Sequence, residues 1–104
     1  MLKQMIYLLH LSKGKIMKTY TMYTDPGHGW LKVHVDELRD FGIEDSISQY
    51  SYRRGDYAYL EEDCDLSLFV ERYVDRHIAR PKISVQHANR NSKIRSYRRY
   101  YATR

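Results

Sequence analysis

The residues with the most obvious chemistry lie in "TDPGHGWLKV", positions 24–33. Asp25 and His28 flank a Pro26-Gly27 pair there and lead into the only tryptophan, Trp30. A carboxylate near an imidazole can orient it for proton transfer. Farther along, Glu61, Glu62, Asp63 and Asp65 crowd around Cys64, the single cysteine. Clustered carboxylates can hold a divalent cation, and a thiol becomes a nucleophile when a neighbouring cation lowers its pKa. Each group also has a plainer reading. His28 has no second histidine or cysteine at metal-ligand spacing. The acidic run lacks the glycine and ligand spacing of a calcium loop, and carboxylates at a helix start complement the helix dipole. Cys64 has no basic neighbour in sequence, which makes it a structural residue. A small hydrolase or nuclease using His28 with the carboxylates at 61–65 is therefore the weakest of three function classes. The spacing assigns no catalytic residue, no metal and no cofactor.

The second chemical pattern is basic and aromatic. From Pro81 onward the chain has no acidic residue, and "ANRNSKIRSYRRYYATR" interleaves Arg90, Lys93, Arg95, Arg98 and Arg99 with Tyr97, Tyr100 and Tyr101. Arginine contacts phosphates and tyrosine stacks on bases, so the mixture suits nucleic acid with unpaired bases. It suits an acidic protein partner equally, and a tail that folds back on the body is a third reading. Charge layout keeps all three open. Residues 19–75 carry thirteen acidic and five basic side chains, a net −8, whereas 76–104 carries nine basic and no acidic ones, a net +9. The overall +5 thus combines an acidic body with a basic tail.

These groups must be positioned by elements that the sequence also marks. "TYTMYT" (19–24) reads as a strand. "WLKVHV" (30–35) alternates, with Leu31, Val33 and Val35 on one face and Trp30, Lys32 and His34 on the other. Pro26-Gly27 between them predicts a type II turn with Gly27 at positive φ, so turning explains the composition of the loop. "DELRDFG" (36–42) predicts a short helix with Asp36 as N-cap and Gly42 as its left-handed stop. "ISQYSYRRGDYAYLEE" (47–62) predicts a second hairpin turning at Arg54-Gly55. That register pairs Tyr52 with Tyr57 and Tyr50 with Tyr59, leaving Gln49, Ser51, Ala58 and Leu60 opposite. The four tyrosines either pack on a long helix or form a stacking platform for bases or a protein, and a chain poor in Leu, Ile and Phe favours packing. The "RGD" at 54–56 is explained by the turn.

Within 61–81, Leu66, Phe69, Val70, Tyr73, Val74, His77 and Ile78 fall at helical spacing and make one apolar stripe, stopped by Pro81. "KISVQH" reads as a final short strand. The fold expected is α+β: two hairpins forming a four-stranded, mostly antiparallel sheet, with a short helix and one long amphipathic helix. At 104 residues the chain has room for one modest core. It divides into a leader or loose arm at 1–16, a domain at 17–80 and a basic tail at 81–104. The apolar run from Met5 to Leu11 is too short to span a bilayer or to act as a signal peptide, so no membrane partner is expected, and Met17 is an alternative start. A lone cysteine points to a reducing compartment.

The strings "DPGHGWLKV", "ISQYSY" and "YLEEDCD" within residues 23–69 resemble small proteins of unknown function encoded by bacteriophages and prophages. The resemblance covers under half the chain and leaves out the leader and the basic tail. It implies a phage accessory gene acting in the cytoplasm of an infected or lysogenic bacterial cell, where such genes often encode inhibitors of host or defence machinery. The leading expectation is a non-enzymatic binding protein directed at a host or defence nucleoprotein or enzyme. The alternative is direct DNA or RNA binding through the tail.

Overall fold

The computed structural model describes residues 18–101. The arm expected at 1–16 lies outside them, as does the end of the tail. Six strands and two helices follow in the order β1 (Thr19–Thr24), β2 (Gly29–His34), α1 (Val35–Asp40), β3 (Tyr52–Arg54), β4 (Tyr57–Glu61), α2 (Asp65–His77), β5 (Lys82–His87) and β6 (Arg98–Arg99). Short 3-10 turns lie at Glu44–Ser46 and Lys93–Ser96.

The α+β class is as expected, but the sheet is not four-stranded and antiparallel. It is a six-stranded mixed sheet in the order β5-β1-β2-β4-β3-β6. β5 runs parallel to β1, from Thr19 opposite Lys82 to Thr24 opposite His87, with α2 in the crossover from β4. β6 pairs antiparallel with β3, placing Arg99 opposite Tyr52. The strand expected from "KISVQH" is β5 and forms one edge of the sheet, and the segment beyond it, expected as an unpaired tail, supplies the other edge as β6. Two hairpins alone would leave the outer backbone groups of β1 and β3 without a ladder, and the C-terminal segment satisfies them.

Local details depart from expectation in instructive ways. The β1–β2 loop turns without a positive-φ Gly27, since the described residues at positive φ are Gly42, Gly55 and Ile78. Asp25 organises the loop instead: its Oδ1 accepts the N–H groups of Gly27 and His28, and its own N–H donates to the His28 carbonyl. The N-cap of α1 is His34, whose Nδ1 accepts the Asp36 N–H, while Gly42 ends the helix region at φ 71° as expected. The second hairpin turns one residue later than predicted, at Gly55-Asp56, which pairs Tyr52 with Tyr59 and Arg54 with Tyr57. Gly55 provides the positive φ that this two-residue turn requires. α2 ends at Ile78, in left-handed conformation and 63% exposed, so the apolar stripe stops short of Pro81.

Strand alternation separates two apolar layers. Tyr20, Leu31, Val33, Ala58 and Leu60 face Phe69 and Tyr73 of α2, together with Leu38, Ile43, Ile47 and Tyr100. The opposite face carries Trp30 and Tyr59 with Tyr23 and Tyr52 packed beside them, and Ile94 and Tyr97 cover it. The tyrosines of the second hairpin thus do not pack on the long helix. Its small residues do, because Ala58 and Leu60 let α2 approach the sheet closely and leave the rings for the other side.

Candidate binding face and cleft

The face opposite α2 is assembled from residues far apart in sequence. Ser92 caps the 3-10 turn by accepting the Ile94 N–H, which drops the Ile94 side chain onto Trp30 and Tyr59. Tyr97 meets Tyr59 edge to face at 5.1 Å. The clamp is Asp25. Its side chain, fully shielded from solvent, accepts Nε and Nη2 of Arg95 at 2.7 and 2.9 Å and the Ser92 N–H at 2.9 Å. With the two turn N–H groups this makes five hydrogen bonds. The Arg95 guanidinium, aided by those N–H groups, holds the Asp25 carboxyl well below the usual carboxylate range despite its burial. Gly27 is small for this clamp rather than for the turn, since a Cβ there would lie 2.9 Å from Arg95 Nη2. Tyr100 anchors the far end: its N–H donates to the Ser51 carbonyl and its hydroxyl to the Glu44 carbonyl at 2.8 Å. Burial pushes the hydroxyl pKa of both Tyr59 and Tyr100 up.

Beside this clamp opens a cleft of about 430 Å³, within the roughly 300–1,000 Å³ common for ligand pockets. Trp30 and Tyr52 form its aromatic side, Arg95 and Arg99 its cationic side, and Tyr50 stands at its margin, 70% exposed. The Arg99 guanidinium lies 4.9 Å from the Tyr52 ring centre, and Nη1 donates to the Gln49 carbonyl at 3.3 Å. Arg95 lies 5.4 Å from the Trp30 ring centre. A second, shallower cleft of about 510 Å³ is lined by Ser48, Gln49, Tyr50 and Arg99, so the two clefts share Tyr50 and Arg99.

His28, Glu61, Asp63 and Cys64 also line the first cleft, so the residues of the weakest of the three function classes do meet there. Two of the acidic groups around Cys64, Glu61 and Asp65, are engaged in structure. Glu61 accepts the N–H groups of Asp63, Cys64 and Asp65, satisfying the start of α2. Asp65 is buried and accepts from the Ser48 N–H and from the hydroxyls of Ser48 and Ser51. Cys64, read from sequence as structural, is exposed at the N-cap position of α2. His28 is exposed on the Asp25 loop, its ring 6.1 Å from Trp30.

The sequence-predicted binding residues separate into groups. Tyr97, Tyr100 and Arg95 hold the C-terminal segment to the body. Arg90, Lys93 and Arg98 are exposed. Arg99 enters the clefts, and Tyr101 is exposed nearby with its hydroxyl 3.4 Å from Gln49 Oε1. Among the hairpin tyrosines, Tyr59 is buried, Tyr52 borders the cleft, and Tyr57 lies beneath the Lys32 ammonium at 4.4 Å. Tyr50 precedes β3 and stands outside the ladder. Trp30, buried in the second apolar layer and lining the cleft, was the residue of this face that sequence reasoning passed over. Its signal was a large aromatic on the otherwise polar face of β2, beside Lys32 and His34.

The fold and the face together define an α+β protein with an arginine–aromatic cleft on the open side of a mixed sheet. Comparison with protein families, curated proteins and solved structures found no match. Among the described residues no helix is long and apolar enough to cross a membrane.

Proposed function

We propose that this protein is a non-enzymatic accessory binding protein, of phage type, that meets its partner with the arginine–aromatic face of the sheet. The observation that carries the reading is the cleft in which Arg95 and Arg99 are held against Trp30 and Tyr52. Lys32 over Tyr57 and Arg54 over Tyr97 extend the same arrangement across that face. Arg95 already pairs with Asp25, so the guanidinium offered to a partner is that of Arg99, which is ordered by stacking on Tyr52 and loses less side-chain entropy when its N–H edge meets a carboxylate or phosphate. Glu61, one of the two carboxylates lining the cleft, is engaged with backbone N–H groups at the start of α2, which ties it to the fold. The phage resemblance supplies the setting, the cytoplasm of an infected or lysogenic bacterial cell, and the partner class, a host or defence nucleoprotein or enzyme. Direct contact with nucleic acid is the form of this reading favoured by Tyr50 and Arg99, an exposed ring and a cation at the junction of the two clefts.

Affinity capture from bacterial lysate, with and without nuclease, tests the face. The full chain is expected to retain a discrete partner that a Tyr50→Ala/Arg99→Ala variant with unchanged melting temperature fails to retain. Equal capture by both would remove this face as the binding surface.

A further inference from the structure

We infer that the two clefts sharing Tyr50 and Arg99 bind single-stranded nucleic acid, with two successive unpaired nucleotides placed on either side of these side chains. The inference rests on the binding-face reading and names its ligand. Three observations lead to it. Tyr50 is 70% exposed, although a ring is costly to leave in water, and it borders both clefts. An aromatic ring presented this way stacks on a base of any identity. Arg99 is fixed by Tyr52 on one side and by the Gln49 carbonyl through Nη1, so its remaining N–H groups are ordered at the junction, where a backbone phosphate linking two nucleotides would lie. Gln49 lines the second cleft, and while its Oε1 accepts from the Tyr101 hydroxyl, its side-chain amide N–H groups are donors of the kind that read base edges.

The geometry selects against other ligands. Bases stacked in a duplex do not reach rings that border clefts, whereas splayed bases of a single strand do. A mononucleotide fills one cleft and leaves the other vacant, so a ligand spanning both gains from each. An acidic protein segment can pair with Arg99, but its carboxylate side chains offer no planar base to stack on the exposed Tyr50 ring at the same time.

Fluorescence polarisation of labelled oligonucleotides with the purified full chain provides the test, using single-stranded DNA, single-stranded RNA and a duplex of the same length. Single strands are expected to bind at least ten-fold more tightly than duplex, with affinity falling as salt rises because bound phosphates release counterions. Tyr50→Ala is expected to weaken binding by roughly five- to hundred-fold, the range for loss of one stacked base, with little change in salt dependence. Arg99→Ala should weaken binding and reduce the salt slope by about one, while Arg99→Lys should restore the slope and only part of the affinity. Arg90→Ala, on the exposed segment away from the clefts, should change little. Comparable affinity for duplex, insensitivity to Tyr50→Ala, or a mononucleotide that competes as well as a dinucleotide would each overturn the inference. If no oligonucleotide binds while nuclease-resistant capture from lysate still depends on Tyr50 and Arg99, the ligand assignment fails and the binding face stands.

Discussion

Ile94→Ala tests whether the C-terminal segment is part of the folded body. Ile94 is 3% exposed and sits in the layer formed with Trp30 and Tyr59, at the centre of the only cover that the described residues give these rings. Truncation to alanine removes three carbons from a closed site. Buried Ile→Ala changes cost about 2–5 kcal/mol, and a site one residue from the surface-lying Lys93 can partly collapse, which favours the lower half of that range. In a domain of this size each kcal/mol moves the melting temperature by roughly 4–8 °C, so a fall of about 10–20 °C is expected. Trp30 is the sole tryptophan and 2% exposed, so its emission reports the same event without a label. Loosening of the segment should shift that emission to the red well below the global transition, together with faster proteolysis after Arg90. A variant that melts within about two degrees of the parent, with unchanged emission, would refute the docking of residues 92–97 and return Arg95, Tyr97 and Arg99 to a free tail.

Two further outcomes follow from the same contacts. Phe69 is fully buried beneath Tyr20, 5.3 Å between ring centres, so Phe69→Ala should cost about 3–5 kcal/mol in a denaturant titration, and a change under one would mean that α2 is not the main cover of the sheet. The Asp25 carboxyl has a depressed pKa in the folded protein, so it takes up its proton more readily in the unfolded chain. Its contribution is present above the ordinary carboxylate pKa of about 3.9 and is lost as pH falls below that value. Melting temperatures taken from pH 7 to pH 3 should therefore decline for the parent more steeply than for Asp25→Asn, which should already be destabilised at neutral pH. Parallel curves would show that Asp25 is not the clamp.

What the sequence determined by itself was local. The alternation of Leu31 and Val33 with Trp30, Lys32 and His34 set the two faces of β2, because side chains on a strand point to opposite sides whatever lies beside it. The spacing of Phe69 and Tyr73 set the buried face of α2, and Gly42 marked the end of α1, since left-handed backbone favours a residue without a Cβ. The mixture of arginine and tyrosine after Pro81 was legible, although Arg95, Tyr97 and Tyr100 of it turn inward to hold the segment to the body. The partners of these elements were not. Asp25 meets Arg95 seventy positions away, and β5 pairs with β1 across the whole of the intervening domain. Nothing in either short segment encodes the other, because ladder hydrogen bonds are made by backbone groups common to every residue. The tertiary structure alone set the expected strand "KISVQH" beside β1, turned the segment after it into the other edge of the sheet, put the hairpin tyrosines on the face away from α2, and brought Trp30, Tyr50, Tyr52, Arg95 and Arg99 to one cleft. A cleft is a property of closure, and closure depends on unpaired strand edges and two apolar layers being satisfied at the same time, a condition that no local window of the chain contains.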